Sequence, residues 1–153
     1  MSGLVIEEVG FDGIDAVMAV MNRAFDPRYG EAWTEPQLLS MMALPGTTLT
    51  LARIGDVPAG FALNRLIADE AELLLLAVAP ESRRLGIATA LIGRSLDLLR
   101  LRNGVRLHLE VRHNNPAIKL YKKAGFEPIG RRPAYYRATD GQMHDALTLS
   151  CPA

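Results

Sequence analysis

The stretch Leu74-Leu75-Leu76-Ala77-Val78-Ala79-Pro80 is an unbroken apolar run of strand length, stopped by a proline. Ser82-Arg83-Arg84-Leu85-Gly86-Ile87-Ala88 follows at once, and a helix-like pattern then runs from Thr89 to Arg102. A strand that is apolar on both faces must be covered on both, which commits the chain to a sheet between helices. The join constrains just as strongly. A tight turn at a helix start leaves main-chain N–H groups without helical partners, and the helix dipole adds to their attraction for anions. Such a turn suits a pyrophosphate.

The spacing narrows the ligand. Arg83-x-x-Gly86-x-Ala88 lacks the Gly-Lys-Ser/Thr end of the nucleotide P-loop and the three glycines of the dinucleotide fingerprint. On its own it could equally be an ordinary strand–helix turn. A second signature stands downstream: Glu110-Val111-Arg112 leads into Asn114-x-x-Ala117-x-x-Leu120-Tyr121-x-x-x-Gly125-Phe126. A third comprises Arg131-Arg132-Pro133-Ala134-Tyr135-Tyr136 with Asp140-Gly141 and Asp145-Ala146, and Ala32-Trp33-Thr34-Glu35 lies near the start.

Together these segments resemble the GNAT superfamily of N-acetyltransferases, and within it the RimI-type enzymes that acetylate the N-terminal alanine of a small-subunit ribosomal protein. The resemblance spans roughly Ile14 to Leu149. It implies an α/β (α+β) fold with a single mixed, mostly antiparallel sheet flanked by helices on both faces. It implies one acetyltransferase domain over residues 1–153, with acetyl-CoA as co-substrate and a protein or peptide N-terminus as acceptor. A small amine or polyamine acceptor, or an acyl-CoA-binding module without turnover, are the alternatives.

Composition fits an enzyme of this kind. The 153 residues suffice for one cored domain, and 49% hydrophobic against 22% charged residues is a globular balance. Seventeen basic and 17 acidic side chains cancel, so no field draws nucleic acid or a membrane surface. The single cysteine, Cys151, excludes a disulfide framework, and three scattered histidines lack a metal-ligand spacing, so no metal is expected. No signal peptide or membrane span is read, making cytoplasm the default. The expected assembly is a monomer or homodimer.

Patterning places the elements. Leu4-Val5-Ile6 reads as a strand, and Ile14 to Phe25 as a helix after Asp12 or Gly13. Glu35 to Met42 reads as a second helix, capped by Thr34 with Pro36 in its first turn. Thr48 to Arg53 and Pro58 to Arg65 flank Gly55-Asp56 as a hairpin. Glu72 to Val78 and Val105 to Arg112 are further strands, Pro116 to Ala124 a helix, and two late strands flank Asp140-Gly141. Methionines 18, 21, 41 and 42 read as core packing.

Acetyl transfer needs a base, a polarised thioester and help for the departing thiolate. An amine is mostly protonated near neutrality, so a carboxylate or an ordered water must first take a proton. Strict alternation puts Arg106, His108, Glu110 and Arg112 on one face of their strand and Leu107, Leu109 and Val111 on the other. By the resemblance Glu110 is the base; otherwise it is a carboxylate paired with Arg106 or Arg112. Glu72, where other branches of the superfamily place theirs, is its rival. Tyr121 is the candidate acid, its matching residue lying near the CoA sulfur. The coenzyme would meet Leu76, Ala77 and Val78 of the strand, with an N–H near Ala77 or Val78 polarising the carbonyl. Arg83, Arg84, Leu85, Gly86, Ile87, Ala88 and Thr89 would hold the pyrophosphate. Asn114 and Asn115 would cap the next helix and touch the pantetheine. Trp33, Arg131, Tyr135 and Tyr136 are candidates for the acceptor groove. His108 could relay a proton, while His113 and His144 read as loop residues.

Overall fold

The computed structural model describes residues 3–153 and contains one seven-stranded sheet in the order β1-β2-β3-β4-β5-β7-β6. The strands are β1 (Leu4–Val9), β2 (Thr47–Ile54), β3 (Val57–Ile67), β4 (Glu70–Val78), β5 (Arg106–Arg112), β6 (Glu127–Arg137) and β7 (Met143–Pro152). The helices are α1 (Ile14–Ala24), α2 (Glu35–Met42), α3 (Ile87–Leu101) and α4 (Ile118–Lys123). Every neighbouring pair is antiparallel except β4 and β5. No described helix is long and apolar enough to cross a membrane.

Two apolar cores lie on opposite faces of the sheet. On one, Ile14, Val17, Val20 and Met21 of α1 and Leu38 of α2 pack against Leu49, Leu51, Phe61 and Leu63. On the other, Ile87, Leu91, Ile92, Leu96 and Leu99 of α3 pack against Leu73, Leu107, Leu109 and Val111. Each of these side chains, once buried, contributes about 1.5–3 kcal/mol. Met18, Met41 and Met42 only edge onto the first core.

The helix ends follow from local chemistry. Thr34 accepts from the Gln37 N–H while Gln37 accepts from the Thr34 N–H, a reciprocal pair that starts α2 with Pro36 in its first turn. α3 begins at Ile87, earlier than the pattern suggests, because Gly86 (φ 80°) turns the chain straight into it. α4 begins later than expected, at Ile118. Asn115 accepts from the Ala117 N–H at 2.9 Å, and this side-chain turn uses up the residues around Pro116.

One irregularity in β4 matters for everything after it. Leu63 faces Leu75 and Asn64 faces Leu73, so Leu74 is an extra residue bulged from the ladder. Ala71 and Leu73 therefore enter the α3 core, whereas Leu75 and Ala77 enter the α1–α2 core. Four consecutive leucines, Leu73 to Leu76, let the strand change faces without exposing a polar group. Beside it, β3 approaches so closely that a Cβ at Gly60 would sit 2.8 Å from the Ala77 carbonyl oxygen.

Candidate active site

β4 and β5 pair only from Glu70 to Glu72 against Arg106 to His108. Beyond that β4 runs to Val78 and β5 to Arg112 without further pairing, so the sheet opens into a notch. A cleft of about 620 Å³ occupies it, lined by Leu76, Ala77 and Val78 on one side and Arg112, Asn114, Asn115 and Tyr121 on the other.

The turn after β4 closes the outer end of this cleft. Ser82 N–H donates to the Ala79 carbonyl at 2.9 Å, and both Arg84 (φ 65°) and Gly86 (φ 80°) adopt left-handed backbone. Ala90 is the first residue of α3 whose N–H meets a main-chain acceptor, the Gly86 carbonyl at 3.0 Å. Among the described residues the N–H groups from Arg84 to Thr89 have no protein acceptor, which leaves a run of donors at a helix start. Arg83, Arg84, Gly86, Ile87, Ala88 and Thr89 line the cleft; Leu85 projects away, half exposed. Arg83 spends its side chain otherwise than the sequence suggested, donating from Nη2 to the Ala24 carbonyl at 2.6 Å and so pinning the end of α1 beside the turn.

A second hollow, of about 350 Å³, adjoins the inner end. Phe25, Tyr29, Glu31, Leu76, Asn115 and Tyr121 line both spaces, and Trp33, Glu110 and Tyr136 line the second alone. Glu110 thus faces the same hollow as Tyr121. Its ion pair is with neither Arg106 nor Arg112 but with Arg132 of β6, Nη2 to Oε1 at 3.3 Å.

Tyr121 is 8% exposed and packs edge-on to Phe126. Burial foremost, then the Glu31 carboxylate and Tyr136, pushes its hydroxyl up to about 12. Tyr136 is likewise pushed up to about 12, by burial, then Glu31, then Glu110.

Other candidates lie apart from the cleft. Glu72 lines neither space and stands opposite His108 at the last paired rung. The residue is exposed overall, yet partial loss of water around its carboxyl, reinforced by Glu110, raises that carboxyl above the usual range. His108 is engaged by Glu70 at 3.3 Å. Arg131 and Tyr135, expected along the acceptor groove, line neither hollow. The cause is a bulge in β6 between Arg132 and Tyr136, with Ala134 at φ 49°. Asp145 holds it by accepting from the Ala134 N–H at 2.8 Å and from Arg131 Nε at 2.6 Å. His144 lies on β7 rather than in a loop, between His113 and Tyr29 at 5.6 Å from each ring.

Three residues of the site escaped the sequence reading. Arg112 was placed on the polar face of β5 but is 5% exposed. Its Cζ lies 3.3 Å from the centroid of the Tyr29 ring, Nη1 donates to Asn114 Oδ1 at 2.6 Å, and Nη2 stands 3.5 Å from Glu31 Oε1. Tyr29 and Glu31 belong to the segment between α1 and α2, where Pro27 and Gly30 interrupt the helical pattern and no motif marks either residue. That segment is tied down from far along the chain: Thr139 donates to the Arg28 carbonyl from its N–H at 2.7 Å and from its hydroxyl at 2.9 Å.

A notched mixed sheet with a donor-rich turn at the mouth of the notch defines a class that sequence comparison identifies. Residues 14–126 match the acetyltransferase (GNAT) family, and the chain belongs to that family and is an N-acetyltransferase. It is 36% identical over 121 residues to the ribosomal protein bS18-alanine N-acetyltransferase of Escherichia coli strain K12, covering 78% of this chain and 80% of the relative. The crystal structure of the ribosomal-protein-S18-alanine N-acetyltransferase from Escherichia coli superposes with a TM-score of 0.88 at 30% identity, over 97% of this chain and 93% of that one. Ard1 from Thermoplasma volcanium superposes with a TM-score of 0.83 at 26% identity, over 99% and 98% of the two chains.

Proposed function

We propose that this chain takes acetyl-CoA into the notch between β4 and β5 and transfers the acetyl group directly to the α-amine of a protein or peptide N-terminus. The observation that carries the reading is the junction at Tyr121, where a long cleft with free N–H donors at its far end opens into a hollow containing Glu110. The Escherichia coli relative is a ribosomal protein bS18-alanine N-acetyltransferase, and this chain covers 80% of its length.

In this reading the N–H groups of Arg84 to Thr89 hold the diphosphate and the pantetheine arm follows Leu76, Ala77, Val78, Asn114 and Asn115 toward Tyr121. Glu110 takes a proton from the acceptor ammonium. The amine nitrogen attacks the thioester carbon, an N–H near Ala77 or Val78 stabilises the oxyanion, and the C–S bond breaks as the nitrogen gives up its second proton to solvent, leaving a neutral amide. Tyr121 faces the departing sulfur. With its proton held to about 12 against about 8.5 for a thiol, complete transfer to the thiolate would run uphill by about 5 kcal/mol. Tyr121 therefore acts as a hydrogen-bond donor to the thiolate, and the final proton reaches sulfur from solvent. Cys151 lies in the α3–α4 core, away from both hollows, so transfer proceeds without a thioester on the protein.

The test is turnover of acetyl-CoA with peptides ending in alanine, serine or lysine, beside free small amines. Acetylation of the alanine- or serine-terminated peptide at its α-amine is expected. Turnover confined to the small amines would overturn the N-terminal reading.

A further inference from the structure

The hollow beside Tyr121 has an unusual charge census. Glu31 and Glu110 are its only ionisable side chains other than tyrosines, and no lysine, arginine or histidine lines it among the described residues. Its walls carry the rings of Tyr29, Trp33, Tyr121 and Tyr136. Two carboxylates among aromatic faces are the surroundings that a cationic amine favours.

The two carboxylates are backed by cations that lie outside the hollow. Arg132 reaches Glu110 from the exposed side of β6, and Arg112 reaches Glu31 from the coenzyme cleft. The Arg112 contact is loose at 3.5 Å, because Tyr29 and Asn114 fix that guanidinium more closely than Glu31 does. The Glu31 carboxylate is 18% exposed and keeps capacity for another donor.

Building on the N-acetyltransferase reading, we propose that Glu31 is the acceptor-binding carboxylate: it seats the incoming ammonium between the two hollows, while Glu110 removes its proton. Glu31 comes from the segment before α2 and Glu110 from β5, so an amine held between them bridges that segment and β5. After one proton passes to Glu110, the nitrogen lone pair is free and one of the two N–H groups left still donates to Glu31. The hydrogen bond to Glu31 then orients the nitrogen toward the thioester. Glu31 thus sets a preference for acceptors that arrive as cations.

The test compares wild type, Glu31→Gln and Glu31→Asp with two acceptors: an alanine-terminated peptide, and an acceptor of the same shape whose amine is uncharged at assay pH, such as an N-terminal hydrazide. A roughly tenfold to hundredfold rise in KM for the cationic peptide is expected in Glu31→Gln, the span of a charge-assisted hydrogen bond. kcat should change less, Glu31→Asp should recover part of the loss, and the penalty should vanish for the uncharged acceptor. A purely structural role predicts the same penalty for both acceptors together with weaker acetyl-CoA binding, and that result would overturn the proposal. Calorimetric titration of the enzyme–coenzyme A complex with alanine amide reads the same site without turnover. Equal affinity in wild type and Glu31→Gln, or no binding to either, would also overturn it. Failure of the peptide reading shows itself differently, as wild-type enzyme that turns over no peptide at all.

Discussion

Arg132 places Nη2 3.3 Å from Glu110 Oε1, so the carboxylate assigned as base is held from behind by a cation whose own side chain is 59% exposed. An ion pair of that exposure contributes little energy and serves mainly to orient. Glu110→Gln should lower kcat by about 10²–10⁴, the usual worth of a general base, with acetyl-CoA binding unchanged. Arg132→Leu should cost less than about tenfold, since the base survives without its brace. Glu72→Gln, outside both hollows, should also remain within about tenfold. Steady-state kinetics on the three variants checks this order; a larger loss in Glu72→Gln than in Glu110→Gln would reverse the assignment.

Tyr121 and Tyr136 both hold their protons to about 12 in the folded chain, against 10 for an ordinary phenol. The folded state thus binds protons that the unfolded chain releases between these values. The stability they contribute is complete below pH 10 and is lost as pH rises toward 12. Denaturant titrations across that window should show a steep fall in wild type and a shallower one in Tyr121→Phe. At neutral pH, Tyr121→Phe should reduce kcat by about tenfold to a hundredfold while leaving acetyl-CoA affinity intact, as expected for loss of one donor to a developing charge.

Gly60 is set so that an added methyl group would meet the Ala77 carbonyl at 2.8 Å, Ile87 Cγ2 at 3.2 Å and Leu91 Cδ1 at 3.3 Å. The first of these is main chain near the end of β4, hydrogen-bonded into the ladder with β3, and cannot readily step aside. Gly60→Ala should destabilise the fold by about 1–3 kcal/mol and push β4 into the notch. Urea unfolding and acetyl-CoA titration of the same variant would show both effects together.

Asp145 fixes the β6 bulge that carries Tyr136 into the hollow beside Tyr121. Its acceptance of the Ala134 N–H, then its bond with Arg131, holds its carboxyl below the ordinary 3.8. That stabilising contribution is present above pH 3.8 and disappears as pH falls through the lower folded-state value. Asp145→Ala should speed amide exchange at Ala134 and raise KM for a peptide acceptor several-fold. Hydrogen–deuterium exchange with peptide-level resolution, alongside kinetics, would reveal whether the two changes travel together.

The order of helices and strands was legible because each is written locally. Thr34 and Pro36 mark a helix start, Gly55-Asp56 a hairpin, and the alternation from Arg106 to Val111 a strand. The donor-rich turn after β4 was legible for the same reason. What the pattern hid depends on contacts between distant segments. Glu31 has no local motif, and its place is set by the 26–33 segment folding over the notch where Thr139 ties it down. Arg112 looks solvent-facing by alternation, but the Tyr29 ring covers it. The bulge at Leu74 is invisible because leucine satisfies either face, and the left-handed turn at Ala134 lacks the glycine that would announce it.

The seam between β4 and β5 is stitched by three residue pairs, whereas every other adjacent pair of strands shares at least six. The molecule has its softest joint at the notch proposed to take acetyl-CoA. Whatever lodges in that gap acts as mortar between the two half-sheets, so its arrival should be felt as stiffening in strands far from any atom it touches.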